Sequence, residues 1–311
     1  MKKTTPLFHI ENYRVDTKKF DHLLHDKVVD EFTDNFCDYV GAKYGCAFNS
    51  ATSAIFLLLL NKKQKINIPS IIPPVVCNAI LTSGNEINFI DNVGWVGNSY
   101  VLHDFENYKV IDSAQKVERN QFSIEADPQD LMVFSFYPTK PIGSCDGGIV
   151  VSNDKKKIEW LKEASLNGTT FASDNWNRYI KFPGYKMYMN SIQAYIANEN
   201  LKKLDKKYEA LDKIREAYNQ SFGLKNTSHH LYRINVSNRK ELRRALQDEG
   251  FQTGIHYEAA HLNPVYDTGQ INLFKSNIES KTTVSLCYNE KMKTADVQKI
   301  IKIVEKYANR C

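Results

Sequence analysis

From about residue 29 to residue 152 the chain switches repeatedly between helical and strand-like hydrophobic spacing, and this alternation restricts its fold more than any other feature. Val29, Phe32, Phe36 and Tyr39 recur at helical spacing, and Gly41 follows as a stop. A strand is expected over 45–48, Asn49-Ser50 as a cap, and an apolar helix over 51–60. A strand over 66–68 and a helix over 75–83 come next, then strands over 87–90, 100–103, 109–111, 131–136 and 148–152. Strands that alternate with helices bury both sheet faces, which predicts an α/β fold with a largely parallel sheet. From residue 189 a long helix with room for one break carries the stripe Leu201, Leu204, Tyr208, Leu211 and Tyr218. Beyond Gly223 the texture changes. Strands over 231–236, near 253–256 and over 283–286, with helices over 240–249 and 294–307, predict a small α+β domain. The chain is therefore read as a large domain, 1–220, and a small C-terminal domain, 221–311.

Composition sets the outer bounds. With 311 residues, 42% of them hydrophobic, the chain can build a sizeable core. The formal net charge is only +5. Its clusters, Lys155-Lys156-Lys157 and Lys202, Lys203, Lys206 and Lys207, fall on amphipathic helices and read as solvated faces, so no nucleic-acid partner is expected. The six cysteines, Cys37, Cys46, Cys77, Cys145, Cys287 and Cys311, show neither zinc-site spacing nor a disulfide framework. That predicts no metal and a reduced, cytoplasmic setting. No apolar segment follows the basic start Met1-Lys2-Lys3, and the longest apolar run, 54–60, is too short for a bilayer. The expectation is a soluble protein without a membrane partner.

Four local features could carry chemistry, and each has a plainer alternative. Phe134-Ser135-Phe136-Tyr137-Pro138-Thr139-Lys140, followed by Asp146-Gly147-Gly148, puts a lysine just past a buried strand. Burial lowers an amine's pKa and makes it nucleophilic toward an aldehyde, although a surface loop lysine would look the same in isolation. Asp112 ends a short apolar strand in Val110-Ile111-Asp112-Ser113-Ala114-Gln115. Strand ends are where ligands bind in open α/β sheets, and there the acid either meets a protonated ring nitrogen or caps the next turn. Asn49-Ser50-Ala51-Thr52-Ser53 opens a helix and offers backbone N–H groups and hydroxyls to a phosphate, or simple capping. Gly254-Ile255-His256-Tyr257, with His261 behind, clusters histidines that either touch substrate or pack in the interior.

In this order and together, the four features resemble the DegT/StrS family of pyridoxal phosphate (PLP)-dependent nucleotide-sugar aminotransferases, from about Phe32 to the C-terminus. Residues 134–140 are similar to the family's S-F-H-x-x-K segment, and Asp146-Gly147-Gly148 to its E-G-G. Asp112, Ser113, Ala114 and Gln115 fit D-A-A-Q, and Ser50-Ala51-Thr52-Ser53-Ala54 resembles S-G-T-A-A with alanine for glycine. Pro183-Gly184-Tyr185-Lys186 with Ile192-Gln193-Ala194 resembles the G-Y…I-Q-A segment, and Gly254-Ile255-His256-Tyr257 with His261, Pro264 and Tyr266 the G-I-H-Y-x-x-x-H-x-x-P-x-Y stretch. His230-Leu231-Tyr232 and Ser285-Leu286 fit smaller landmarks.

The resemblance implies a fold-type I PLP transferase: a three-layer α/β/α large domain on a mixed, mostly parallel sheet, plus the small domain. It implies Lys140 as the covalent anchor of pyridoxal 5'-phosphate and as the proton carrier, with Asp112 on the ring nitrogen and Gln115 near the phenolic oxygen. Ser50, Ala51, Thr52, Ser53 and Ser135 would hold the phosphate, and Lys186 would reach it from the other subunit of a homodimer. Tyr137, His256, Tyr257 and His261 are substrate candidates. L-glutamate is the implied amino donor and a nucleotide-linked 4-keto or 3-keto 6-deoxysugar the acceptor, for aminodeoxysugar and polysaccharide biosynthesis.

There are departures. Pro73 stands where the family places an aromatic that stacks on the ring, Tyr188 replaces an arginine, and the stretch between Asp91 and Asp112 is short. The alternatives are another PLP reaction on a sugar and a non-catalytic binding or regulatory protein. Lys140 argues against the family's dehydratase branch, which carries histidine there, and Lys140, Asp112 and Gln115 together argue against a mere binder.

Overall fold

The computed structural model describes residues 4–13, 15–170, 179–270 and 272–310. Met1, Lys2, Lys3 and Cys311 lie outside them. In chain order the elements are α1 (Lys27–Val40), β1 (Tyr44–Phe48), α2 (Ala51–Leu59), β2 (Lys65–Pro69), α3 (Pro74–Thr82) and β3 (Glu86–Ile90). Then come β4 (Tyr100–Asp104), β5 (Lys109–Asp112), α4 (Gln121–Glu125), β6 (Leu131–Ser135), β7 (Gly148–Ser152), α5 (Lys155–Ser165), β8 (Thr169–Thr170) and β9 (Tyr179–Ile180). The remainder is α6 (Ser191–Leu201), α7 (Leu204–Phe222), β10 (Tyr232–Asn235), α8 (Arg239–Asp248), α9 (Phe274–Thr282), β11 (Thr283–Leu286) and α10 (Thr294–Tyr307).

The central sheet has the order β1-β7-β6-β5-β4. Strands β1, β5 and β6 share one direction, and β7 and β4 run against them. β2 and β3 form a separate parallel pair, with β2 lying against β4. The sheet is thus mixed. β4 opposes β5 because only residues 105–108 join them, and a loop that short makes a hairpin, whereas a parallel crossover needs a dozen residues or more.

Side-chain alternation along the strands divides the interior into two apolar layers. Met132 and Phe134 of β6, Ile149 and Val151 of β7, and Ile111 of β5 pack toward α1, α6 and α7. Leu131 and Val133, Val150, and Val110 on the same strands pack toward α2, α3 and α5. Successive residues of a strand point to opposite faces, so a continuous apolar run such as 131–134 requires helices on both sides. Each of these side chains, fully buried, contributes roughly 1.5–3 kcal/mol.

The long helix expected from residue 189 breaks once, at Lys202–Lys203, between α6 and α7. The strand expected near 253–256 does not form. Gly254 makes a single bridge, with its N–H on Ser285 O at 3.0 Å and the Ser285 N–H on its own carbonyl at 2.9 Å. The chain then turns away, and Arg233 takes the His256 carbonyl at 3.0 Å. Helix α9 has no apolar stripe to reveal it: Ser276, Glu279 and Ser280 are buried while Phe274 and Ile278 are exposed. Polar contacts dock it instead, with the Asp91 carboxylate accepting from the N–H groups of Lys275 and Ser276 at 2.8 and 2.7 Å.

Candidate active site

Lys140 sits in a turn just beyond β6, and that turn is held from both ends. Phe136 packs edge-on against Phe32 and Phe36 of α1, at ring distances of 5.1 and 5.3 Å. Its N–H donates to Gly147 O at 2.9 Å and its carbonyl accepts from Ser144 N–H at 2.8 Å. The Lys140 N–H closes the turn on Tyr137 O at 2.8 Å. Helices α6 and α7 clamp the far side: Ser144 Oγ donates to Gln193 O at 2.8 Å and Lys207 Nζ to Pro141 O at 2.9 Å. Gly147 has φ +138°, a conformation that glycine adopts and a side chain resists.

Asp112 ends β5, the strand next to β6, and is buried at 4% exposure. Both its oxygens are engaged: Oδ1 accepts from Ala114 N–H at 2.9 Å and Oδ2 from the Tyr100 hydroxyl at 2.8 Å. Burial pushes the carboxyl pKa up, and these two donors and the Lys140 charge pull it back. Burial also lowers the Lys140 ammonium to about 8, against an opposing pull from Asp112. At pH 7 about a tenth of such an amine is unprotonated, the form that attacks carbonyls, and the share grows as pH rises.

Gln115 and Tyr257 close one side of this pair. Gln115 Oε1 accepts from Gly97 N–H at 2.8 Å, and its Nε2 donates to Tyr257 Oη at 3.1 Å. Burial raises the Tyr257 hydroxyl, and the Asp112 charge adds to that rise. His256 is lowered to about 4, first by burial and then by the Lys140 and Arg233 charges, so its ring is neutral at physiological pH. His230 is lowered well below its usual value for the same leading reason, and Lys140 again contributes. Phe8 stacks on His230 at 5.3 Å and meets His256 edge-on at 5.9 Å.

The start of α2 is fixed by its cap and by β7. Ser50 Oγ accepts from Ser53 N–H at 3.1 Å, and Ser50 O from Ala54 N–H at 3.3 Å. The N–H groups of Ala51 and Thr52 open the helix and have no intrahelical acceptor. Gly148 brings β7 against this turn: a Cβ there would lie 2.4 Å from the Ala51 nitrogen. Ser135, the last residue of β6, is buried and pairs with Gly148 in the β6–β7 register.

The other sequence candidates are placed as follows. Lys186 is exposed beside α5, where it bridges to Leu166, and Tyr137 is exposed next to the Lys140 turn. His261 is buried away from that turn, with Nδ1 2.5 Å from Ser70 Oγ and its ring near Phe89. Pro73 is half-buried at the head of α3. A cleft of about 720 Å³ lies behind the 138–145 loop, lined by Tyr13, Lys203, Lys206, Lys207 and Glu290.

Two residues beside the site escape the sequence motifs. Tyr100 reaches Asp112 through hairpin pairing, and the only advance signal was its place at the head of a strand. Arg233 ties β10 to Glu279 at 2.7 Å and to the His256 carbonyl, which positions the histidine segment. Its position in a short alternating strand resembles any exposed arginine.

A lysine of lowered pKa just beyond β6 and a buried acid at the end of the neighbouring β5 lie in a three-layer α/β/α fold that is shared with fold-type I aminotransferases. The chain belongs to the DegT/DnrJ/EryC1/StrS aminotransferase family, whose model matches residues 10–95 and 126–305. A relative from Campylobacter jejuni (strain 81-176), UDP-4-amino-4,6-dideoxy-N-acetyl-beta-L-altrosamine transaminase, is 27% identical over 88% of this chain and 87% of its own. Among solved structures, Helicobacter pylori PseC, an aminotransferase involved in the biosynthesis of pseudoaminic acid, superposes with TM-score 0.78 at 20% identity over 96% of this chain and 98% of that one. Spr1654 from Streptococcus pneumoniae, solved in a PLP form, gives 0.77 at 16% identity over 96% and 98%. These structural likenesses establish the fold.

Proposed function

We propose that this chain transfers an amino group from L-glutamate to a nucleotide-linked 4-keto or 3-keto 6-deoxysugar, using pyridoxal 5'-phosphate anchored on Lys140. The observation that carries the reading is the Lys140 amine, lowered to about 8, facing the buried Asp112 in a chain of an aminotransferase family. The residues present fit the cofactor. Lys140 offers a nucleophilic nitrogen, Asp112 an anion for a protonated ring nitrogen, and the start of α2 free N–H groups for a phosphate. When bound, PLP supplies the electron sink for the carbanion.

The protein's own part is to hold and move protons. Lys140 Nζ, once displaced by the donor, takes the proton from the donor's α-carbon and later returns one to the acceptor carbon. Asp112 would keep the ring nitrogen protonated, and Gln115 would lie near the phenolic oxygen. Ser50, Ala51, Thr52, Ser53 and Ser135 hold the phosphate. Lys186, exposed on its own chain, reaches the partner's phosphate in a homodimer. His256 and Tyr257 border the sugar, with Tyr137 and His261 further out. The nucleotide-sugar acceptor is supported by the named activity of the Campylobacter relative. The division proposed at residue 220/221 falls in the last turn of α7, just before Gly223 ends that helix with φ +64°. A cytoplasmic setting accords with the absence, among the described residues, of any helix long and apolar enough to cross a membrane.

The test is the absorption spectrum of the purified protein with PLP, before and after L-glutamate. The expected result is a visible band that gives way to a near-ultraviolet band, followed by its return on adding a nucleotide keto-sugar. A visible band indifferent to glutamate sinks the donor assignment. No visible band at all sinks the enzyme reading in favour of a binding module.

A further inference from the structure

The hairpin that carries Asp112 lies in the stretch the family model leaves unmatched, residues 96–125. Here the acid is held by its partner across the hairpin. Tyr100 stands directly across from Asp112 in the β4–β5 register. Its hydroxyl reaches Asp112 Oδ2 at 2.8 Å while Ala114 N–H occupies Oδ1, so the carboxylate plane is fixed from both edges. The Tyr100 ring is itself clamped. Trp95 packs against it at 4.5 Å and is held in turn by its Nε1–H on Ile71 O at 2.9 Å.

We propose that Tyr100 is a positioning residue for the transamination: its hydroxyl holds the Asp112 carboxylate ionised and aimed at the cofactor's ring nitrogen. This rests on the PLP reading above. A carboxylate buried at 4% exposure tends to neutralise unless donors satisfy it, and one of its two neutral donors is this phenol. The phenol is a lasting donor, because burial and Asp112 itself raise its pKa well above the usual tyrosine value. The other titratable groups facing the pair are Lys140 from the β6–β7 loop, Tyr257 and, beside Tyr100, Cys77 of α3. Tyr100→Phe leaves all of them in place.

The sign follows directly. Removing the hydroxyl raises the Asp112 pKa, so the carboxylate is lost at a higher pH and its hold on a protonated ring weakens first on the acid side. The probe is pyridoxamine 5'-phosphate, which has no aldehyde and forms no bond to Lys140, titrated into apoprotein by calorimetry across the pH range. Tyr100→Phe should weaken binding about tenfold at acid pH, move the acid limb up by about one pH unit, and leave alkaline binding unchanged. In an Asp112→Asn background the same substitution should do nothing. Equal binding by Tyr100→Phe and wild type at every pH overturns the proposal. So does a loss that is uniform with pH and persists beside Asp112→Asn, the mark of packing alone. Failure of the wild-type protein to bind the probe removes the PLP reading, and this inference with it. Absence of the acid-side loss in Tyr100→Phe, with wild-type binding intact, removes only the inference.

Discussion

The two halves of the candidate site are built by different means. The lysine half, β6 with the 136–147 loop, lies wholly within the matched family stretch and combines a short-range turn with clamps from α1, α6 and α7. A buried strand runs out, an aromatic plug pins its end, and a glycine pair returns the chain into β7. The acid half, the β4–β5 hairpin, lies in the unmatched stretch and depends on one strand pairing with another. The turn and its helix clamps put Lys140 where the motif says it should be. The hairpin reaches the same end, an acid beside that lysine, through strand pairing and with a tyrosine as support.

The largest expected effect comes from the lysine half. Lys140→Ala should cut transamination by more than about 10⁴-fold and abolish the visible PLP band, whereas loss of a covalent anchor should leave folding intact. Turnover near wild type in that variant would show that the lysine half is decorative.

Asp112→Asn tests whether the halves are coupled. Turnover should fall by about 10²–10³-fold. There is also a signature in the apoprotein. The Asp112 charge raises the Lys140 pKa against the stronger effect of burial. Without that charge the ammonium is less favoured, so its pKa moves below about 8 and the neutral amine persists to lower pH. The rate at which Lys140 captures an aldehyde probe, followed against pH, should rise through about 8 in wild type and at a lower pH in the variant. An unshifted midpoint would mean that the halves do not sense each other.

The smallest effect is structural. Gly148→Ala would place a Cβ 2.6 Å from Ala51 Cα and closer still to its nitrogen, pushing β7 off the head of α2. Overpacking of this kind costs about 1–3 kcal/mol, so the melting temperature of the apoprotein should drop by several degrees. Inorganic phosphate should stabilise the variant less than it stabilises wild type. Equal phosphate stabilisation would detach the α2 N-terminus from the phosphate role.

Much of this architecture was legible from periodicity. The apolar run at 131–134 demanded two flanking layers, and on one side the covering helices were visible as 3.6-residue stripes over 29–39 and 201–218. Lys140 and Asp112 stood out at strand ends, where an open sheet exposes its ligand-binding edge, but their roles, and that of Gln115, followed only from the family resemblance of their motifs. α9 was not legible, because polar docking through Asp91 and Glu279 leaves no hydrophobic signal. The strand near 253–256 was over-read, since a run of suitable residues does not supply a partner for more than one bridge.

What the sequence determined by itself is a set of local facts: which stretches are strand or helix, that both sheet faces are covered, and that a lysine and an acid each follow or end a strand. What only the tertiary structure decided is which residue stands opposite that acid. The hairpin pairs Asp104 with Lys109 and His103 with Val110, and unbroken counting would set Val101 against Asp112. A register shift between Val101 and His103 moves the pairing by one and sets Tyr100 there instead, with its hydroxyl turned inward and Val101 exposed. A strand's side chains alternate with period two, so a one-residue slip exchanges one face for the other. Whether the bulge forms depends on Trp95, Ile71 and Asp112 packing around the tyrosine, long-range contacts that no local spacing records.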